Sequence, residues 1–391
     1  MLKSISLIES TPLRAVNKVL TQAVDEGRVP GAVAAVNSSE TCHFHAAFGA
    51  AGTDPFRAME TDTVFRIASM TKLVTSVAIM ILVDEGQVDL DAPLGEYVSQ
   101  FSQPEVLVRF DADSGVFETR PAARDATLKE LMSHTAGYGY WFLHEPLRIA
   151  SGTEPDLFDP PFLIADPGTG FAYSTSTDVI GQLVEPLTGV PLDVFFENRI
   201  FEPLGMRDTG YRRPADLSRL VYVHRRSGDG FRQLPLEDQD HPVRGGGGLY
   251  STTGDYSRLL RCLLRSGELD GTRVLSEEAV AEIGCNQIGD FEALMQRTAL
   301  TDRSNDFVFM DGTQKFGFGV MIETKERQGR RSIGSYGWGG IVNTYFWVDP
   351  ARDLAAVLML QLAPFASRAS VNLLDRFETA VYEDFAQEDM A

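Results

Sequence analysis

The run Val74-Thr75-Ser76-Val77-Ala78-Ile79-Met80-Ile81-Leu82-Val83, closed by Glu85-Gly86, most limits how this chain can fold. It predicts a core helix over 69–85, with Gly86 where a C-terminal capping glycine belongs. Ser69 then lies in the first turn and Lys72 one turn on, on the same face. The positive end of the helix dipole lies beneath both. A serine hydroxyl is a poor nucleophile until a base takes its proton, and a desolvated lysine can be that base. Ser69 and Lys72 are therefore a candidate nucleophile and base. The chain has six lysines, and only Lys72 has a serine three residues before it. The tetrad by itself remains a weak signal.

At 391 residues, the chain is long enough for two domains or one large domain carrying an insertion. A net charge of −20, with no basic stretch to neutralise phosphates, argues against a nucleic-acid partner. Cys42, Cys262 and Cys285 are odd in number and far apart, which suits a reducing compartment or simply unpaired thiols. No CxxC spacing or His/Cys cluster suggests zinc, and no metal or other cofactor is expected. His43 and His45 share a strand face but lack a third ligand, so they are read as structural. The N-terminus has no apolar core long enough for a signal peptide, and no run of about 18 apolar residues exists to span a membrane. A cytoplasmic protein with no membrane partner is expected. Nothing specifies an oligomeric state.

Thr11-Pro12, ahead of Leu13, Val16, Leu20 and Val24, predicts a capped amphipathic helix ending at Gly27. Residues 31–37 and 41–48 predict a β-hairpin. Residues 90–245 are rich in Pro, Gly and loop signals, with short helices over 127–133 and 176–187. Thr175 and Asp178 stand at capping-box spacing for the second, and Gly189 at its end. The glycines 245–248 permit close backbone approach without a phosphate-loop pattern, and Ser251 or Thr253 can cap a helix over 256–266. The C-terminal third predicts strands over 316–323, 331–336, 342–348 and 354–362, then a helix over 368–385 with Val371, Leu374, Phe377, Val381 and Phe385 on one face. Strands at both ends around a helical middle predict an α+β fold, an α/β sandwich with an antiparallel sheet built from both termini and flanked by helices. Residues 1–75 and 246–391 would form this α/β domain. Residues 76–245 would be a mainly helical, loop-rich insertion, with the active site between the two.

Three separated pieces then line up: Ser69-Met70-Thr71-Lys72, Tyr173-Ser174-Thr175 ahead of a helix, and Gly337-Trp338-Gly339-Gly340-Ile341 just before a strand. A phenol near a cationic lysine and a helix N-terminus can have its pKa lowered enough to accept and return a proton. A backbone N–H from an edge strand, with the N–H of Ser69, would form an oxyanion hole worth roughly 3–4 kcal/mol per donor.

These pieces, with Phe65–Arg66 before the tetrad, Leu131-Met132-Ser133-His134-Thr135-Ala136-Gly137 and Pro203-Leu204-Gly205-Met206, resemble the serine β-lactamase and penicillin-binding-protein fold group. Within it the chain is most similar to the family VIII carboxylesterases, over about residues 15–385. The resemblance implies a β-lactamase-like fold and Ser69 as the acylated nucleophile. It makes Lys72 and Tyr173 the base system, and the N–H groups of Ser69 and Ile341 the oxyanion hole. His134 matches a family position and is read as structural. Trp338 stands where β-lactamases commonly carry a lysine that binds the substrate carboxylate, and Thr175 where they commonly carry an asparagine. Both departures favour a neutral ester as the small-molecule substrate, with Trp338, Gly339 and Gly340 against it. Tyr138, Tyr140, Trp141 and Phe142 follow His134, and the related esterases place this region at the entrance, so Tyr140 and Trp141 are expected to line an aromatic pocket. The G-x-S-x-G elbow of another esterase design does not occur in the sequence.

The expected activity is a serine carboxylesterase of short-acyl esters, with possible weak β-lactam hydrolysis. An acyltransferase or a peptidase for D-amino-acid substrates on the same site is the alternative, followed by a non-catalytic binding or assembly module.

Overall fold

Strands from the two ends of the chain join into one antiparallel sheet of eight in this computed structural model, which describes residues 13–152, 160–236, 240–293, 296–307 and 314–388. Helix α1 (Arg14–Asp25) leads into β1 (Gly31–Asn37), β2 (Cys42–Thr53) and β3 (Phe56–Ala58). The remaining strands are β4 (Lys315–Phe316), β5 (Met321–Ile322), β6 (Tyr336–Gly340), β7 (Thr344–Asp349) and β8 (Leu354–Met359). Their spatial order is β4-β5-β6-β7-β8-β1-β2-β3, so the C-terminal β8 pairs with the N-terminal β1, Val33 opposite Met359 and Asn37 opposite Ala355. Both are buried along their whole length, as continuous apolar strands inside a sandwich are.

Successive strand residues leave a sheet by opposite faces, and two neighbours on β7 show what covers each. Phe346 packs on Tyr256 of the helix Thr253–Leu264, with ring centroids 5.2 Å apart. Trp347 packs at 5.5 Å on Phe377 of the C-terminal helix Arg368–Glu388 and donates its Nε1–H to Tyr382 Oη at 3.2 Å. Helix α1 joins this second layer, its Ala15 and Val16 amides donating to Asp384 at 3.1 and 3.0 Å. The fold is α+β.

Several local expectations need correction. The strand expected over 316–323 is two short strands, β4 and β5. Gly319 between them has φ +73°, and a Cβ at Gly317 would lie 2.2 Å from the Ile283 carbonyl. The strand expected over 331–336 instead begins at Tyr336, because Arg331 is held by the C-terminal helix through Glu378. On that helix Val371 faces out, 41% exposed, and Leu373 is buried in its place. Thr252, not Ser251 or Thr253, caps Thr253–Leu264 by accepting from the Asp255 amide at 3.1 Å. The expected Thr11-Pro12 cap lies outside the described residues. Helix α2 (Thr71–Asp84) is buried from Thr71 to Leu82, as its all-round apolar composition demands. Among the described residues no single helix is long and apolar enough to cross a membrane.

Candidate active site

Ser69 sits on a 3-10 turn, Ala68–Met70, that feeds α2, not in the first turn of the α-helix itself. Ala68 holds φ at +46°, a left-handed conformation that costs a residue with a Cβ about 1–3 kcal/mol and survives only where its surroundings enforce it. Two contacts do so. Tyr256 Oη donates to the Met70 carbonyl at 2.9 Å. On the other side β6 presses against the turn, and a Cβ at Gly340 would come within 2.4 Å of the Ile67 carbonyl oxygen. Gly340 thus serves close packing, whereas Gly339 and Trp338 face the cavity above Ser69.

Lys72 is fully buried. Its Nζ lies 2.7 Å from the Gly246 carbonyl oxygen, 2.9 Å from Tyr140 Oη and 3.4 Å from Ser69 Oγ. Burial lowers its pKa to about 7, against the opposing pull of Asp178 and with a further push down from Arg244. A neutral amine has two N–H donors and one lone pair. With Gly246 and Tyr140 taking the donors, the lone pair falls to Ser69.

Tyr173 is hydrogen-bonded to Ser69, and its Oη accepts the Trp338 Nε1–H at 3.1 Å. The expected lowering of its pKa does not occur. Burial pushes it up by more than the bonds to Ser69 and Trp338 pull it down. The lysine 5.1 Å from the ring centroid cannot reverse this, because it has lost its proton before a phenol ionises. Tyr173 is a phenol that stays protonated. His134 backs it, ring centroids 4.8 Å apart, with Nδ1 3.0 Å from Ser174 Oγ; burial and nearby Lys72 keep the imidazole neutral.

Tyr173 precedes the helix Ser176–Thr188, but the capping box expected there is absent. The Thr175 side chain caps nothing. Asp178 instead turns its carboxylate to the Gly246 amide, accepting at 2.9 Å. The four glycines explain themselves here. Gly245 accepts from Thr75 Oγ1 at 2.6 Å, and a Cβ on Gly245 or Gly246 would lie 2.2 Å from the Thr177 carbonyl or 2.4 Å from Asp178. The glycine run is wedged between α2 and the helix Ser176–Thr188 so that one carbonyl reaches Lys72.

Over Ser69 opens a cavity of about 60 Å³, lined by Tyr140, Trp141, Phe142, Tyr173, Trp338, Gly339 and Ile341 among others. Ile341 follows β6, which is third from the sheet edge and not an edge strand. Its ladder with β5 covers only Tyr336 and Gly337, so residues 338–340 lie past the end of that pairing. The structure therefore gathers Ser69, Lys72, Tyr173, Trp338, Gly339, Ile341, Tyr140 and Trp141. The sequence does not single out Tyr140 as the direct partner of Lys72, nor does it assign Asp178, Arg244 or the Gly246 carbonyl to the site. The glycine run was the one available signal for the last. No group of three or more His, Cys, Asp or Glu side chains is arranged to hold a metal among the described residues. His45 Nε2 instead lies 2.8 Å from Thr253 Oγ1.

The chain belongs to the Beta-lactamase family, which it matches over residues 16–380. It is 30% identical to esterase EstB of Burkholderia gladioli, over 88% of this chain and 89% of that protein. It is 29% identical to monacolin J acid methylbutanoyltransferase of Aspergillus terreus, over 96% and 97% of the two. A mutant of simvastatin synthase from Aspergillus terreus has the same fold, with a TM-score of 0.82 at 27% identity, over 96% of this chain and all of that one.

Proposed function

We propose that this protein is a family VIII-type serine carboxylesterase that cleaves short-acyl esters through an acyl-enzyme on Ser69. What carries the proposal is Lys72: a buried amine with a pKa of about 7, its N–H groups directed to Gly246 and Tyr140 and its remaining valence to Ser69 Oγ. In the free-amine form Lys72 takes the Ser69 proton as Oγ attacks the ester carbonyl carbon. The N–H groups of Ser69 and Ile341 receive the oxyanion, each worth roughly 3–4 kcal/mol. Tyr173, held protonated and hydrogen-bonded to Ser69, gives its proton to the departing alkoxide, and the Lys72 ammonium restores the phenol. Water then enters by the same steps in reverse order and releases the acid.

The small cavity and its wall of Tyr140, Trp141, Phe142 and Trp338 favour short acyl groups, with Arg244 and Arg303 also in the lining. Ser69 and Trp338 come from the proposed α/β unit of residues 1–75 and 246–391, and Tyr140 and Tyr173 from the proposed insertion, 76–245. A cytoplasmic location is part of this reading, which three widely spaced cysteines suit. Similarity to a methylbutanoyltransferase over nearly the whole chain favours a second reading, in which an alcohol replaces water at deacylation. The test is a panel of p-nitrophenyl esters from acetate to octanoate, with a chromogenic cephalosporin and a competing alcohol, on wild type and Ser69→Ala. Rapid cleavage of the short esters, slow or no opening of the cephalosporin and an inert variant are expected. Undiminished ester cleavage by Ser69→Ala would overturn the proposal, and a transferred ester as main product would select the second reading.

A further inference from the structure

Two charges near Lys72, one buried and one partly exposed, have no part in the steps above. Asp178 is fully buried on the helix Ser176–Thr188. Its Oδ1 accepts the Gly246 N–H at 2.9 Å, and its Oδ2 has no hydrogen-bond partner among the described residues. Lys72 holds the carbonyl of the same Gly246 residue at 2.7 Å. One glycine is thus gripped from its amide by a carboxylate and from its carbonyl by the lysine, which fixes the distance between the two charges. Arg244, two residues earlier on the same loop, brings Nη1 to 4.0 Å from Asp178 Oδ1 and lines the cavity over Ser69.

A buried carboxylate is ordinarily finished with several hydrogen bonds or a two-pronged arginine. Here it has one amide and an arginine at ion-pair range but beyond hydrogen-bond distance, so its charge is left to act on what surrounds it. We propose that Asp178 and Arg244 are opposed positioning residues for Lys72: the carboxylate favours its ammonium form, the guanidinium its free amine, and their balance adjusts the base that burial sets free. The other groups facing Lys72 are Ser69 on its own turn, Tyr140, Tyr173 and His134, with Arg303 across the cavity. The phenols and the imidazole are neutral near pH 7, and Arg303 lays its guanidinium over Trp141 and Phe142, so Asp178 and Arg244 are the charges that act most directly on Lys72. The inference takes Lys72 as the base proposed above.

The test pairs Asp178→Asn, which keeps an oxygen for the Gly246 amide, with Arg244→Gln. The pH dependence of kcat/KM for a p-nitrophenyl ester is measured for each. In parallel, proteins labelled with 13C at lysine Cε are titrated by NMR. Only six lysines exist, and Lys72 is assigned by its loss in Lys72→Ala. Removing the carboxylate is expected to move the Lys72 titration down by about one pH unit, and removing the guanidinium to move it up by about one. Shifts of opposite sign cannot come from general loosening of the site, which would move both variants the same way. If both titrations stay within error of wild type, or move together, the proposal is overturned. Should Asp178→Asn fail to fold, the upward shift in Arg244→Gln decides alone. The NMR titration needs no turnover, so a protein without esterase activity would refute the function proposed above and still answer this question.

Discussion

Glu378 and Arg331 are nearly as buried under the C-terminal helix as Lys72 and Asp178 are under the active site, yet the two sets of charges are finished differently. Arg331 gives Glu378 three bonds, from its amide at 3.2 Å, Nε at 3.0 Å and Nη2 at 2.9 Å, and lays its guanidinium over Trp347 at 4.8 Å. Burial alone would raise the Glu378 pKa, but Arg331 outweighs it and holds the carboxyl below its ordinary value. At the active site Asp178 accepts one bond, burial raises its pKa, and the pKa of Lys72 falls to about 7. The first arrangement locks charge in place. The second leaves an amine close to the point of gaining or losing a proton, which suits a base and not a strut.

The largest effect separates chemistry from structure. Ser69→Ala should lower kcat by at least about 10⁴-fold while its melting temperature stays close to wild type, as scanning calorimetry and steady-state assays would show together. Next, Glu378→Ala strands Arg331 and should cost about 3–5 kcal/mol in urea unfolding. Because the folded pKa of Glu378 lies below its unfolded value, its stabilisation is complete above the ordinary carboxyl value of 4.5 and is lost as pH falls through the folded value. The gap between wild type and variant should therefore narrow in acid; a gap that widens there would contradict the contrast.

Lys72→Ala should reduce kcat by at least about a hundredfold with far less loss of stability than Glu378→Ala. A denaturation midpoint as low as that of Glu378→Ala would make Lys72 a strut after all. The smallest effect is in pH. For wild type kcat/KM should climb with pH and level off above about 7, where Lys72 has lost its proton; a profile flat from acid to neutral would remove it as the base.

The structural pair and the reactive one were not equally visible beforehand. Ser69, Lys72 and Tyr173 are legible because their residue types and helix-start positions are local properties, and the resemblance to a known family fixes their order. The sheet built from both ends is legible because β1 and β8 are continuous apolar runs. What failed depended on partners distant in sequence. Asp178 has the right spacing for a cap, but the Gly246 amide claims it from 68 residues away. Tyr140 reads as one aromatic among several until Lys72 is seen to reach it. The lowered Tyr173 pKa that the sequence suggests is not realised, because helix dipole and lysine can be read from a sequence, whereas the depth of burial that outweighs them cannot.

The most direct test is to catch the acyl group. Wild type is mixed briefly with p-nitrophenyl butyrate, quenched in acid, and weighed intact and after digestion by mass spectrometry. One butyryl group on the peptide containing Ser69, absent from Ser69→Ala, is the predicted result. A butyryl group on any other residue, or steady turnover with no trapped acyl-enzyme in a protein that still cleaves the ester after Ser69→Ala, would contradict it.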